Sequence, residues 1–309
     1  MKGHCIILFC IVSLTLNAEE QVLQLGGKDP WNNIEALVGV EIESKTPSTH
    51  AIILSSRKPV SVIPDLLLTF DESGPDQFSD VTGHYLVTTS SSVLRSERSQ
   101  ARFGSGAALF SGISLTPTAT VEQSGLFIKP KPGALFASGS RIEDFTIDFW
   151  LYPANLAKGE QILTWSSGRK TLRGESLFQR IRCQVGNNSL EWIFNDFFTS
   201  VDDVNRLSIH LKGIEKLMPR TWSHHVIRYD ANQGSLEYLV NGKLEAVVYT
   251  TKSQKPGGEL YTPKIGDGGL FILGERYSGL IDNLRILPLY LEMVEDTKYP
   301  LSGGYMISK

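Results

Sequence analysis

Three cysteines are all this 309-residue chain has, and two of them, Cys5 and Cys10, stand in its first ten residues. Set those aside with the leader described below, and Cys183 is alone, so the remaining chain can form no internal disulfide. A fold of this size can rest on its hydrophobic core instead. Cys183 then reads as a small apolar residue buried in a strand rather than a reactive thiol. An excess of one charge is lacking too: 30 Lys and Arg stand against 33 Asp and Glu, a formal net charge of −3. No basic tract occurs, which argues against a nucleic-acid partner. The apolar run Cys5 to Leu16 is too short to span a bilayer, so no transmembrane segment is expected. Low-complexity tracts, fixed-period repeats and long helical periods are also missing, which excludes solenoids and helical bundles.

What is present begins with a leader. Lys2 and His4 precede the apolar run, and Asn17-Ala18 closes it before Glu19-Glu20. A charged start, a short apolar middle and a small residue make a secretory signal over residues 1–18, with cleavage after Ala18. Leu16, at the third position before the cut, is larger than usual. Phe9 stands before Cys10 where a lipoprotein signal has a small residue. The expectation is an exported chain, secreted, periplasmic or associated with the cell envelope. Removing 18 of 309 residues leaves 291, and losing Lys2 takes the charge from −3 to −4. That length suits one large β domain or two small ones.

The stretch Trp222 to Lys243 organises the rest. Two alternating runs flank the polar turn Ala231–Gly234, and Asn241-Gly242 follows. Asn-Gly between strand-like runs is the strongest short-range hairpin signal, because a type I′ turn needs φ > 0 at both central residues. The pattern predicts a meander over Trp222–Tyr229, Leu236–Val240 and Leu244–Tyr249. Phe145 to Tyr152 places Phe145, Ile147, Phe149 and Leu151 on one face and Thr146, Asp148, Trp150 and Tyr152 on the other. Large groups on both faces predict a strand in mid-sheet, covered on both sides. Further strands are expected at 65–72, 84–89, 104–112, 125–133, 161–165, 177–185, 190–194, 270–273 and 279–287. Residues 90–102 read as a Ser/Arg-rich loop. Val204, Leu207, Leu211, Ile214 and Met218 roughly fit a helical period, but Leu207-Ser-Ile-His-Leu alternates and Gly213 interrupts, so a strand is predicted there. The fold class is an all-β antiparallel jelly-roll sandwich. Residues 19–63 form an N-terminal β extension, with strands near Glu35–Glu43 and Ala51–Ser55 added to the main domain or forming an arm. The main domain covers 64–290, and 291–309 form a C-terminal tail laid across the surface.

Seven motifs in order carry a resemblance. They are Leu67-Leu-Thr-Phe-Asp-Glu, Asp80-Val-Thr-Gly-His, Arg102-Phe-Gly-Ser-Gly-Ala-Ala-Leu-Phe-Ser-Gly, Phe145-Thr-Ile-Asp-Phe-Trp-Leu-Tyr-Pro, Thr221-Trp-Ser-His-His-Val, Tyr238-Leu-Val-Asn-Gly-Lys and Ser278-Gly-Leu-Ile-Asp-Asn-Leu-Arg-Ile. From about Asp65 to Leu287 the chain resembles a LamG-like jelly roll of the concanavalin A-like lectin/glucanase superfamily. The resemblance implies a sandwich of roughly a dozen strands, used as a binding or adhesion module on exported proteins, often with one structural calcium. It implies that Asp80 and Asp282 lie near that ion. The chain departs from the family at Asp80-Val-Thr-Gly-His, where Asp-x-Ser-Gly-Asn is more usual.

Read from the residues, Asp282 shares a strand face with Leu280, Leu284 and Ile286. If that face is the core side, the carboxylate must be hydrogen-bonded or hold a cation. Asp71, Glu72, Asp76 and Asp80 crowd one loop, and calcium takes six to eight oxygens. His224-His225 cannot readily share a zinc ion, since neighbours on a strand face opposite ways. The relatives' Glu-x-Asp-x-x-Glu glucanase pattern is missing, and no Gly-x-Ser-x-Gly elbow occurs, so no catalytic residue is assigned. Trp150, Tyr152, Trp165, Trp192, Phe197 and Phe198 are numerous enough to stack on sugars or anchor a protein, although such side chains usually fill cores. Asn187-Asn-Ser is a formal glycosylation sequon. The expected function is therefore an exported, non-catalytic binding or adhesion module for a glycan or protein partner. The alternative is a structural or assembly protein of the cell envelope, and a weaker one a glycoside hydrolase.

Overall fold

The computed structural model describes residues 63–291, apart from 75–76, 91 and 113–123, together with the backbone of three earlier strands. These are β1 (Gln21–Leu25), β2 (Val40–Thr46) and β3 (Thr49–Leu54), which pair antiparallel in the order β1-β3-β2. The expected hairpin is there as β2 and β3. Its described pairing is with β1, in a sheet of its own that falls in a separate compact unit. The leader and the tail beyond Leu291 lie outside the described residues.

The main unit continues with β4 (Leu66–Leu68), β5 (Tyr85–Thr89), β6 (Val93–Arg95), β7 (Ala108–Ser111), β8 (Leu126–Pro130) and β9 (Phe145–Pro153). Then come β10 (Gln161–Lys170), β11 (Ser176–Val185), β12 (Leu190–Thr199), β13 (Arg206–Lys212) and β14 (Ser223–Asp230). The last are β15 (Ser235–Val240), β16 (Lys243–Tyr249), β17 (Thr262–Pro263), β18 (Asp267–Leu273) and β19 (Ser278–Leu287). One sheet has the order β16-β15-β14-β9-β19-β7-β6, with β4 beside β19. The second has the order β13-β12-β11-β10-β18-β8-β5, with β17 beside β12. Pairing is antiparallel, and the sequentially distant neighbours β9, β19 and β7 give the crossovers of a jelly-roll sandwich.

Alternation explains why these segments pack as they do. Phe145, Ile147, Phe149 and Leu151 of β9 point between the sheets with no exposed surface. Opposite them, β11 contributes Ile181, Cys183 and Val185, and β12 contributes Trp192 and Phe194. Each fully buried side chain of this size is worth about 1.5–3 kcal/mol relative to exposure. An aromatic cluster fills one part of the core: Phe136 lies 4.9 Å from Phe271, and Phe197 lies 5.0 Å from Phe198, edge to face. Trp165, Trp192, Phe197 and Phe198, weighed as ligand-stacking candidates, all belong to this interior.

The meander forms within one residue of its predicted bounds, and Asn241 and Gly242 take φ of 50° and 80°, as its turn requires. In β13, Leu207, Ile209 and Leu211 face inward and Ser208, His210 and Lys212 outward, so alternation prevails over the helical period. Two strand expectations change. Val93–Arg95, read as loop, is a short strand beside β7. The small-residue run from Gly104 becomes strand only at Ala108. Its glycines let the loop pass close: a Cβ on Gly106 would meet the Phe70 carbonyl oxygen at 2.7 Å.

Candidate binding face

The two sheets have outer faces of opposite character. On the first sheet, a bulge sets the pattern. Pairing of β19 with β9 shifts register between Asp282 and Arg285, where Asn283 takes a φ of 48°. Ile281 faces the core before the bulge, and Leu284 and Ile286 face it after. Asp282 therefore does not share a face with Leu284 and Ile286, as simple alternation predicts. It points outward, and is nevertheless fully buried. Its Oδ2 accepts the backbone N–H groups of Arg102 (2.9 Å) and Phe103 (3.0 Å), while Oδ1 is buried with no partner. Burial pushes this carboxyl up to about 7, against the pull of those N–H donors.

Beside it, Asp148 Oδ1 accepts from Arg285 Nε (3.0 Å) and Nη2 (2.5 Å) and lies 3.2 Å from His224 Nε2. Burial alone would raise the Asp148 carboxyl; Arg285, and then His224, outweigh it and hold the group below the usual carboxylate range. Trp150 stacks on His224 at 4.9 Å, and the Arg102 guanidinium sits 4.4 Å above the Trp150 ring. The segment after β19 then crosses this face. Thr146 Oγ1 donates to the Leu289 carbonyl, the Leu291 N–H donates to Thr146 Oγ1, and Arg228 Nη1 reaches the Leu291 carbonyl at 2.6 Å. Around β9, β14 and β19 this face is covered by the chain itself.

Asp80, the other expected calcium ligand, lies in a different network. Its Oδ1 accepts the N–H groups of Leu67 (3.0 Å) and Thr82 (3.1 Å); its Oδ2 accepts Thr82 Oγ1 (2.7 Å) and the Tyr85 N–H (2.9 Å). Those contacts staple a turn to β4 and β5. Donor hydrogens occupy the positions a cation would need, and calcium requires six to eight oxygens. Among the described residues, no group of three His, Cys, Asp or Glu is placed to hold a metal ion, and Asp80 and Asp282 share no hydrogen-bond partner. The residues do not fit a common calcium ion. His224 and His225 face opposite sides: His225 turns inward between Ser223 Oγ (2.7 Å) and the Tyr238 hydroxyl (2.8 Å), and burial pushes it down to about 3.

The outer face of the second sheet is built differently. Along β11, Gln179, Ile181 and Cys183 turn inward, which leaves Phe178, Arg180, Arg182 and Gln184 outward. Cross-strand register sets Arg180 between Ser166 of β10 and Asn195 of β12, and Arg182 between Thr164 and Ile193. Asn195 Oδ1 accepts from Ser208 Oγ of β13 at 3.0 Å. Phe178 is 56 % exposed, and the Arg180 guanidinium lies 4.9 Å from its ring centre. Among the described residues neither arginine has a carboxylate partner, and the Nε of each is buried without an acceptor. Glu191, on the same face, is engaged by His210 Nε2 at 3.2 Å and by Gln184. The face thus offers an exposed ring, hydroxyl and amide groups, and two uncompensated cations. Sequence reading missed it, although Phe-Gln-Arg-Ile-Arg-Cys alternates visibly.

A groove at the β5 edge, lined by Glu72, Phe78, Val87 and Thr89 among others, carries one carboxylate among the described residues, and Glu72 Oε1 accepts from the Ser79 N–H and hydroxyl. A glycosidase needs two facing carboxyl groups.

A family model of the concanavalin A-like lectin/glucanases superfamily matches residues 132–293. The match begins at Ala134's turn, so the first three motifs of the sequence reading lie outside it; β4 and β7 nonetheless join the sandwich by pairing with β19. No curated protein matches the chain. Among solved structures, domain 4 of AbnA, a GH43 extracellular arabinanase from Geobacillus stearothermophilus, in complex with arabinotriose, is 17 % identical with a TM-score of 0.46, over 75 % of this chain and 95 % of that one. The binding domain of botulinum neurotoxin serotype D is 14 % identical with a TM-score of 0.47, over 74 % of this chain and 48 % of that one. The CBM40 domain of a Ruminococcus gnavus IT-sialidase, bound to α2,3-sialyllactose, is 12 % identical with a TM-score of 0.39, over 64 % of this chain and 93 % of that one. These likenesses carry no assignment of ligand.

Proposed function

The chain belongs to the concanavalin A-like lectin/glucanases superfamily, and on that premise we propose that it is an exported, non-catalytic module that binds a glycan on the outer face of its second sheet. One observation carries the reading: that face presents Phe178, Ser166, Arg180 and Asn195 side by side with no carboxylate partner for the arginine among the described residues, whereas the middle of the first sheet's outer face, around β9, β14 and β19, is covered by the chain's own loop and strap. Sugars need a ring to stack on and polar groups to orient their hydroxyls. Export rests on the charged, apolar and small-residue order of residues 1–18. The envelope-assembly reading draws on the separate sheet of β1, β2 and β3, an arm available to a partner.

The test is a broad glycan array probed with residues 19–309, in calcium and again in chelator. Saturable binding that persists in chelator is expected, since Asp80 and Asp282 lie in separate hydrogen-bond networks. Binding abolished by chelator would overturn the metal-free account. No binding by a demonstrably folded chain would overturn the glycan reading in favour of envelope assembly.

A further inference from the structure

We infer that the Arg180–Arg182 pair selects an anionic saccharide, one whose carboxylate or sulfate group sits across the two guanidiniums while its ring lies toward Phe178. The inference rests on the binding face proposed above and goes further, from a glycan to a chemical class of glycan.

Three observations converge on it. First, the two arginines are two residues apart on one strand, so both project from the same face of β11. An oxyanion placed between them meets donors from both sides. Second, the pair is uncompensated. Other buried or half-buried arginines of the sandwich have acceptors for their guanidiniums: Arg169 holds Asp203 at 2.6 Å although its Nε is also unmet, Arg228 holds Glu237 at 2.7 Å, and Arg95 donates to the Ser105 and Phe70 carbonyls. Arg180 and Arg182 have none among the described residues, and each keeps a buried Nε–H without an acceptor. A buried donor left unmet is costly, and a planar guanidinium meets a carboxylate or sulfate with two parallel hydrogen bonds. Third, the surroundings favour an anion over a cation. Lys129, Lys170 and Lys212 lie outward on β8, β10 and β13 of the same sheet, and Glu191 is already held by His210. Ser166 and Asn195 flank Arg180 with hydroxyl and amide groups, which suit the hydroxyls of a sugar rather than the side chains of an acidic peptide.

The experiment measures affinity of the full mature chain for two matched pairs of probes. One pair is a heparin-derived oligosaccharide and its desulfated, N-acetylated, carboxyl-reduced counterpart; the other is an oligogalacturonate and its methyl ester. At least one anionic member should bind about tenfold or more tightly than its neutral counterpart, because a charge-assisted hydrogen bond is of that order. The preference should weaken as salt is raised. Preference within the heparin pair alone identifies sulfate, and within the galacturonate pair alone identifies carboxylate. Arg180→Gln with Arg182→Gln should abolish the preference. Arg182→Lys should keep the salt dependence but lose several-fold in affinity, since lysine cannot make the two-bond contact. Equal affinity for neutral and anionic members would overturn the inference while leaving a glycan-binding face intact. An anionic preference that survives the double arginine variant would also overturn it, by placing the anion elsewhere. Failure of every glycan to bind would sink the broader reading with it.

Discussion

The first sheet's outer face and the second sheet's outer face are made of similar residues put to opposite use. Both carry arginines, an aromatic ring and hydroxyls. On the first, carboxylates stand against the described cations of β14 and β19: Asp148 meets Arg285 and His224, and Arg228 meets Glu237. On the second, Arg180 and Arg182 stand beside Phe178 with no carboxylate partner among the described residues. Internal pairing produces rigidity, because each buried charge fixes its partner. Absence of pairing leaves a surface whose hydrogen-bonding capacity is unspent. A functional surface on a sandwich is thus better recognised by what its charges lack than by how many aromatic residues it holds.

Four variants sharpen this contrast, each with a different expected size. Asp148→Ala removes the carboxylate shared by Arg285 and His224 in a fully buried site, and should cost about 3–5 kcal/mol in denaturant unfolding. A loss below about 1 kcal/mol would mean the first face is not held by this network. Gly104→Ala comes next. At a φ of 62° a Cβ is disfavoured by about 1–2 kcal/mol, and it would collide with the Asp71 carboxylate, so the loop that covers Asp282 should loosen measurably in amide hydrogen exchange.

The third substitution concerns pH. Asp282 binds its proton near pH 7 in the folded chain and near pH 4 in the unfolded one, so between those values the folded state holds more protons. Its contribution is greatest below about pH 4 and is lost as pH rises toward 7. Glu160, likewise pushed up to about 7 by burial, acts in the same direction. Asp282→Asn should therefore reduce, without abolishing, the fall in melting temperature between pH 5 and pH 7.5. An unchanged slope would show that Asp282 keeps an ordinary carboxyl. Smallest of all, Arg180→Gln with Arg182→Gln should change unfolding free energy by no more than about 0.5 kcal/mol, since no ion pair or hydrogen bond among the described residues is lost. A larger loss would mean these arginines serve the fold.

Much of the sandwich was legible in the sequence, because its signals are local. Asn241-Gly242 marks a turn by backbone chemistry alone, and the alternation of β9 and β13 reports which side chains face inward. Legibility ended where geometry departs from period two. One extra residue at Asn283 reverses the face of Asp282, and nothing in Ile-Asp-Asn-Leu announces it. Short β6 escaped because three residues carry too little pattern. The candidate face was half visible. Alternation along β11 exposes both arginines, but whether a carboxylate stands opposite them depends on β10 and β12, tertiary neighbours that only the register identifies. The metal expectation shows the same limit: Asp80 and Asp282 were taken together by resemblance, while the hydrogen bonds around each are separate.

The most direct measurement is a side-by-side glycan array of the mature chain and the triple variant Phe178→Ala, Arg180→Gln, Arg182→Gln, with melting temperatures recorded for both. The account predicts saturable binding by the natural chain, lost in the variant at an essentially unchanged melting temperature. Binding retained by the triple variant would contradict the placement of the site on the second sheet's outer face.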